Sequence, residues 1–249
     1  MTGLAPLVRV FHRMSAAVLI FFVGPGSCLQ AAAQRATGTS SIAFAHVTVI
    51  DGTGAPAQTN QTVIIAGNRI AAIGPSGKVK VSRGVQTIDG RGKYLIPGLW
   101  DVHVHTRYDG IDHLRLSIAN GITSVRDMGA PWSHVPTLKT WKAEIAADKR
   151  VGPRIWMAGP LLDGPRSVWS HSAIVANPVE GRQAVQRLKA EGADFVKVYE
   201  LLSRESFFAI ADEARTSGMS FVGHIPQAIT VIEAADAGQR SIEHCTRFA

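Results

Sequence analysis

Cysteine is nearly absent: the 249-residue chain holds two, Cys28 and Cys245. Cys28 lies in a segment expected to be removed, so no internal disulfide can hold the mature fold together. Runs of like charge are missing as well. The 26 Lys and Arg outnumber the 19 Asp and Glu, but they are scattered, with no run of five and no interleaved aromatics. That distribution excludes a nucleic-acid footprint and leaves a small-molecule partner as the expectation. Nor is there an apolar stretch that fits a membrane anchor; the N-terminal run MSAAVLIFFV (Met14 to Val23) has half of the ~20 residues a span needs. No internal repeat suggests a solenoid.

What the chain does have is 46% hydrophobic residues, enough at this length for one large core with a small companion unit. Arg9, His12 and Arg13 precede the apolar run, and an A-x-A ends at Ala33. This is the layout of a secretory signal peptide over residues 1–33. The expected location is therefore outside the cytoplasm, in a bacterial periplasm or the medium, with no stable membrane span after processing. The GPGSC stretch hints at a lipid on Cys28, but Pro25 stands where such signals carry an aliphatic residue.

Residues 34–98 read as short strands. IAFAHVTVID and QTVIIAGNRIAAIG are rich in β-branched residues, and Gly67-Asn68 marks a turn, the pattern of hairpins in a small sheet. From 99 onward apolar runs alternate with helical stretches, and a glycine often follows the helix: GITSVRD after Gly121, PRIWMAG after Gly152, ADFVKVY after Gly192, MSFVGH after Gly218, QRSIEHC after Gly238. Glycine after a helix end is the expected left-handed cap. Val185 and Leu188 share one helix face, as do Phe207, Ile210, Ala211 and Ala214. The rhythm is that of βα units around a parallel sheet. Counting LIPGLWDVHVH as the first, six strands fit, which is either an open sheet or an incomplete (β/α)8 TIM barrel.

The polar residues fall at the C-terminal ends of these strands, where α/β folds build their sites. His103 and His105 close the first, Lys197 the fourth, His224 the fifth and His244 the sixth. Strand alternation puts His103 and His105 on one face, with Val102 and Val104 on the other. Two such imidazoles could hold a metal or simply hydrogen-bond at a strand end; convergence of four histidines on one rim favours the metal. Lys197 lies between Val196 and Val198, and a buried ammonium beside a dication is unfavourable unless the amine becomes an anionic carbamate. Asp101, Asp127 and Asp194 read as orienting residues. Glu243 is expected to face the helix layer as an ion-pair partner, and His46, His113 and His134 to be surface or packing residues.

GLWDVHVH, the lysine of FVKVY, GHIP and SIEHC together resemble strand ends of the amidohydrolase superfamily, in its binuclear carboxylated-lysine subtype and nearest its imidazolonepropionase-like and Xaa-Pro dipeptidase-like branches. The resemblance runs over residues 42–249, and residues 34–98 resemble half of that family's β-sandwich subdomain. It implies two divalent metal ions, zinc being expected, with His103 and His105 on one, His224 and His244 on the other, and carboxylated Lys197 bridging. It further implies hydrolysis of an amide bond in a dipeptide-like or cyclic small molecule by a bridging hydroxide. Tyr199 and His171 are expected at the substrate. The family's strand-eight aspartate has no counterpart here, so the chain is expected to be a C-terminally truncated, inactive piece, alone or as an oligomer. A non-catalytic metal-binding protein and a mononuclear deaminase are the alternatives.

Overall fold

The computed structural model describes residues 41–245. The chain divides into two compact units, one made of residues 41–48 with Thr59–Lys93, the other of Val49–Gln58 with the chain from Tyr94 on. The segment expected to be a signal peptide, residues 1–33, and Cys28 lie outside the described residues. No helix among the described residues is long and apolar enough to cross a membrane.

The first unit is built on β1 (Ser41–Val49), β2 (Gln58–Ala66), β3 (Arg69–Pro75) and β4 (Gln86–Asp89), in the order β3-β2-β1-β4. β2 and β3 form the hairpin expected at Gly67-Asn68, with Ala66 opposite Arg69 and Gly67 at φ +58°. β4 instead runs parallel to β1, Ile42 opposite Gln86, so this sheet is not made of hairpins alone. Ala43, Val47 and Val63 are buried.

The second unit begins with β5 (Tyr94–Leu95), whose Leu95 carbonyl accepts from the Ile50 N–H at 3.0 Å. There follow β6 (Leu99–Val104), α1 (Thr106–Ala119), β7 (Ile122–Asp127), α2 (Val135–Ala146), β8 (Arg154–Met157), β9 (Leu162–Asp163), β10 (Ala173–Ile174), α3 (Pro178–Ala190), β11 (Phe195–Val198), α4 (Arg204–Thr216), β12 (Ser220–Gly223) and α5 (Val231–Asp236). All pairings are parallel, in two sheets ordered β6-β7-β8 and β10-β9-β11-β12. Three of the helices, α3, α4 and α5, start on side-chain caps that satisfy otherwise orphaned N–H groups. Asn177 accepts from Glu180 N ahead of α3, Ser203 from Ser206 N ahead of α4, and Thr230 forms a capping box with Glu233. Val185 and Leu188 of α3 and Phe207, Ile210, Ala211 and Ala214 of α4 join Val196, Val198 and Phe221 in the largest core cluster.

Two sequence expectations need correcting. Gly121, Gly192, Gly218 and Gly238 take the left-handed conformation after helices, but Gly152 does not; Asp148 (φ +56°) makes the turn beyond α2. The sixth strand shrinks to a single bridge between Gly223 and Ile242, because His244 (φ +59°) and Cys245 (φ +50°) turn the chain left-handed at once. Between β8 and β11 the two sheets meet at a seam rather than a ladder. There Asp194 N donates to Met157 O and Met157 N to the Asp194 carboxylate, each at 2.8 Å, over a small cluster of Met128, Ala158, Phe195 and Val222.

Candidate active site

The C-terminal ends of β6, β11 and β12 open on one cavity, and His103, His105, Lys197, His224, His244, Tyr199 and His171 all line it. Ring centroids stand 5.4 Å apart for His103 and His105, 4.5 Å for His103 and His244, and 5.1 Å for His224 and His244. Tyr199 packs 4.2 Å from His224. His171 is exposed at the rim beside Trp169. His46, His113 and His134 lie elsewhere: His46 pairs with Asn60, and His134 packs on Trp141.

β6 departs from simple alternation. Asp101 pairs with Val125 and Val104 with Asp127, so β6 spends one residue more than β7 over the same rise. Such a bulge re-aims side chains. Val102 is accordingly 51% exposed and Val104 5%, although alternation gives them one environment. Asp101 steadies the bulge by accepting from His103 N at 3.1 Å. Asp127 is buried and accepts from Thr106 N at 2.9 Å and Gly129 N at 3.2 Å, fixing the turn after the histidine pair. With Asp194 bonded to Met157, all three aspartates bond to backbone N–H groups as orienting residues do.

On β11, Val196 and Val198 face the helices while Phe195 and Lys197 face inward. Lys197 is 1% exposed, and its Nζ has no hydrogen bond or ion pair among the described residues. Burial lowers its pKa to about 8; Glu243 opposes the shift and Arg126 adds to it. Desolvation likewise lowers the His105 and His224 pKa values.

Three imidazoles are held through Nδ1. His103 meets Glu243 at 2.7 Å, His105 the Gly129 carbonyl at 3.3 Å, and His224 Glu200 at 2.9 Å. Glu243 is buried and faces inward, not toward the helix layer as expected from sequence; Arg126 and Ser241 hold it there, each at 2.7 Å. Burial pushes its pKa up, but hydrogen bonds from His103 and Ser241 and the charges of Arg126 and Lys197 outweigh this and leave it at about 2. Arg126, Ser241 and Glu200 were not singled out from sequence; an arginine inside the apolar run SVRDMG was the available signal.

Among the described residues no three His, Cys, Asp or Glu side chains already stand as a metal cluster. The donor set nonetheless fits divalent cations. Neutral imidazoles with Nδ1 engaged leave Nε2 for a metal, and a buried, unpartnered amine is the atom a charged ligand environment would explain.

Fold and site together define a parallel α/β protein whose histidines and buried lysine gather at the strand ends, the place where such folds carry out chemistry. No family model matches the chain. It is 43% identical over 53 residues to an imidazolonepropionase of Rubrobacter xylanophilus, spanning 20% of this chain and 13% of that protein. Over 70 residues it is 37% identical to a dihydroorotase of Trichlorobacter lovleyi, 25% of this chain and 16% of that one. Among solved structures, a putative prolidase from Bifidobacterium longum superimposes with a TM-score of 0.66 at 26% identity, over 76% of this chain and 51% of that one. A bottromycin amidohydrolase gives 0.68 at 25% identity, over 83% and 43%. The chain thus spans about half the length of these solved relatives and a smaller share of the curated ones. These sequence relatives and solved structures support a likeness to the amidohydrolase superfamily.

Proposed function

We propose that the protein is a metal-dependent hydrolase of carbon–nitrogen bonds acting on a small amide, dipeptide-like or cyclic, at the strand-end cavity of an incomplete (β/α)8 barrel, in an exported protein. The observation that carries the reading is the gathering of His103, His105, Lys197, His224 and His244 around one cavity, although they stand far apart in the chain. His103 and His105 would hold one cation, His224 and His244 a second, and Lys197, as its carbamate, would bridge them. Bound there, two such cations supply Lewis acidity toward an amide carbonyl and acidify a water molecule.

The chain's own residues supply the rest of the site. Gly129, Glu200 and Glu243 fix the imidazoles at Nδ1, which keeps Nε2 aimed at the cavity. Burial keeps a fraction of Lys197 unprotonated near neutral pH, the form in which an amine adds carbon dioxide. Tyr199 and Trp169 give the cavity an apolar wall, and Tyr199 and His171 are placed to touch a substrate. Among the described residues no Asp or Glu lines this cavity.

The test is metal counting with isotope labelling. Zinc-loaded protein should hold two zinc ions and take up one equivalent of 13C from labelled bicarbonate, and Lys197→Ala should lose both. One zinc and no label would instead favour the mononuclear deaminase that the adenine deaminase relative of Mesorhizobium japonicum, 35% identical over 66 residues, keeps in view. No bound zinc in the wild type would overturn the metal reading.

A further inference from the structure

We propose that Glu243 is a positioning residue that fixes the tautomer of His103, and that Arg126 in turn fixes Glu243. The inference rests on the reading of His103 as a metal ligand, but its geometry stands apart from any metal. Glu243 is surrounded by donors on both oxygens. Oε1 accepts from Arg126 Nη2 and from Ser241 Oγ, both at 2.7 Å, and Oε2 lies 2.7 Å from His103 Nδ1. A carboxylate is acceptor-only, so His103 must carry its proton on Nδ1, and the Nε2 lone pair is left for the cavity.

Arg126 has no freedom to leave. Its Nε donates to the Val102 carbonyl at 2.7 Å, its Nη1 to Ser241 Oγ at 3.2 Å, and its guanidinium carbon lies 5.7 Å from the Phe195 ring centroid. One side chain thus reaches from β7 to the bulge of β6 and to the turn after Ile242. That turn is attached to β12 through Gly223 N, which donates to Ser241 O at 3.2 Å. The bulge alone would let the His103 ring rotate; Glu243, held from the far side of the site, removes that freedom.

Substituting Glu243→Gln gives a specific expectation. Arg126 has only donors, so the amide oxygen must turn toward it and the NH2 group toward His103. His103 Nδ1 then has to accept, and the proton moves to Nε2, the atom a metal needs bare. Removing the arginine as well, in R126M/E243Q, frees the amide to turn back and accept from Nδ1–H. A purely structural ion pair predicts no such reversal.

The experiment uses the full chain, with 15N-labelled histidine spectra of the metal-free protein to read the tautomer and titration with zinc to read affinity. Expected are Nδ1–H for His103 in the wild type and Nε2–H in Glu243→Gln. Zinc binding should weaken by about 10- to 100-fold in that variant, as for other residues that orient metal ligands. The double variant should regain Nδ1–H and most of the zinc affinity. An Nε2–H His103 in the wild type overturns the proposal without any variant. So does a Glu243→Gln protein with unchanged tautomer, or a double variant that behaves like the single one. Failure of the metal reading looks different: the wild type takes up no zinc while the tautomer pattern stands.

Discussion

Replacing Gly223 with alanine should damage the fold and the site at one stroke. Gly223 ends β12, directly before His224, with φ +137°, a conformation L side chains rarely adopt. A Cβ there would sit 2.1 Å from the Val198 carbonyl oxygen and 2.9 Å from its nitrogen. Even a favourable carbon–oxygen contact needs about 3.3 Å, so β11 and β12 would have to separate by roughly 1.2 Å. Both obstacles are backbone atoms that cannot swing aside. Overpacking costs about 1–3 kcal/mol and backbone strain of this kind about 1–3 kcal/mol more, which gives a loss of about 2–6 kcal/mol. At about 2–4 °C per kcal/mol for a protein of this size, the melting temperature should fall by at least about 4 °C. The same separation breaks the bond from His224 N to Val198 O, now 3.1 Å, so zinc affinity should fall too. Gly77→Ala is the control, since its Cβ would meet nothing within 4 Å and its backbone is unstrained. A Gly223→Ala protein that melts with the wild type and the control would refute the packing argument.

Asn177→Ala removes the cap of α3 and should cost about 1 kcal/mol in urea denaturation, with the denaturant slope unchanged. Glu233 is held at about 2, below its ordinary 4.5, by hydrogen bonds from Arg204 and Thr230. Its contribution is therefore complete above about pH 4.5 and fades as the pH falls toward 2. Glu233→Gln should flatten the stability–pH curve in that window, modestly because the group is exposed, and added salt should shrink the difference. Glu200→Gln should weaken zinc binding less than Glu243→Gln, because Glu200 is partly exposed and has no arginine to force its amide to turn; an equal or larger loss would count against that asymmetry.

The parts of the site legible in the sequence were those written in residue type and short spacing. Two histidines one residue apart, a lysine inside FVKVY and glycines after helices needed no distant partner to be noticed, and the helix faces of α3 and α4 followed from their periodicity. What remained hidden depends on long-range pairing. The β6 bulge exists only in register with β7, and Arg126 meets Glu243 across 117 residues of chain. Periodicity also suggested a strand through His244, where two consecutive left-handed residues make a turn, because backbone sign leaves no trace in an apolar pattern. The short strands β9 and β10 escaped notice for a related reason: two residues each is too little for any alternation to show.

The seam between β8 and β11 has a consequence for how the second unit opens. His103 and His105 belong to one sheet, Lys197 and His224 to the other, and at the seam Asp194, itself paired with Lys142 of α2, the Met157 backbone and a small apolar cluster join the two. Local opening follows boundaries of this kind, with each packed half acting as its own cooperative unit. Amide protons of Met157, Ala158 and Asp194 should accordingly exchange with solvent earlier than those of Val196 or Phe207, deep in the larger core. A ligand gripping both sheets would act as a stitch across that line. Its affinity would then be readable as slowed deuterium uptake along the seam, with uptake in the core helices left nearly as it was.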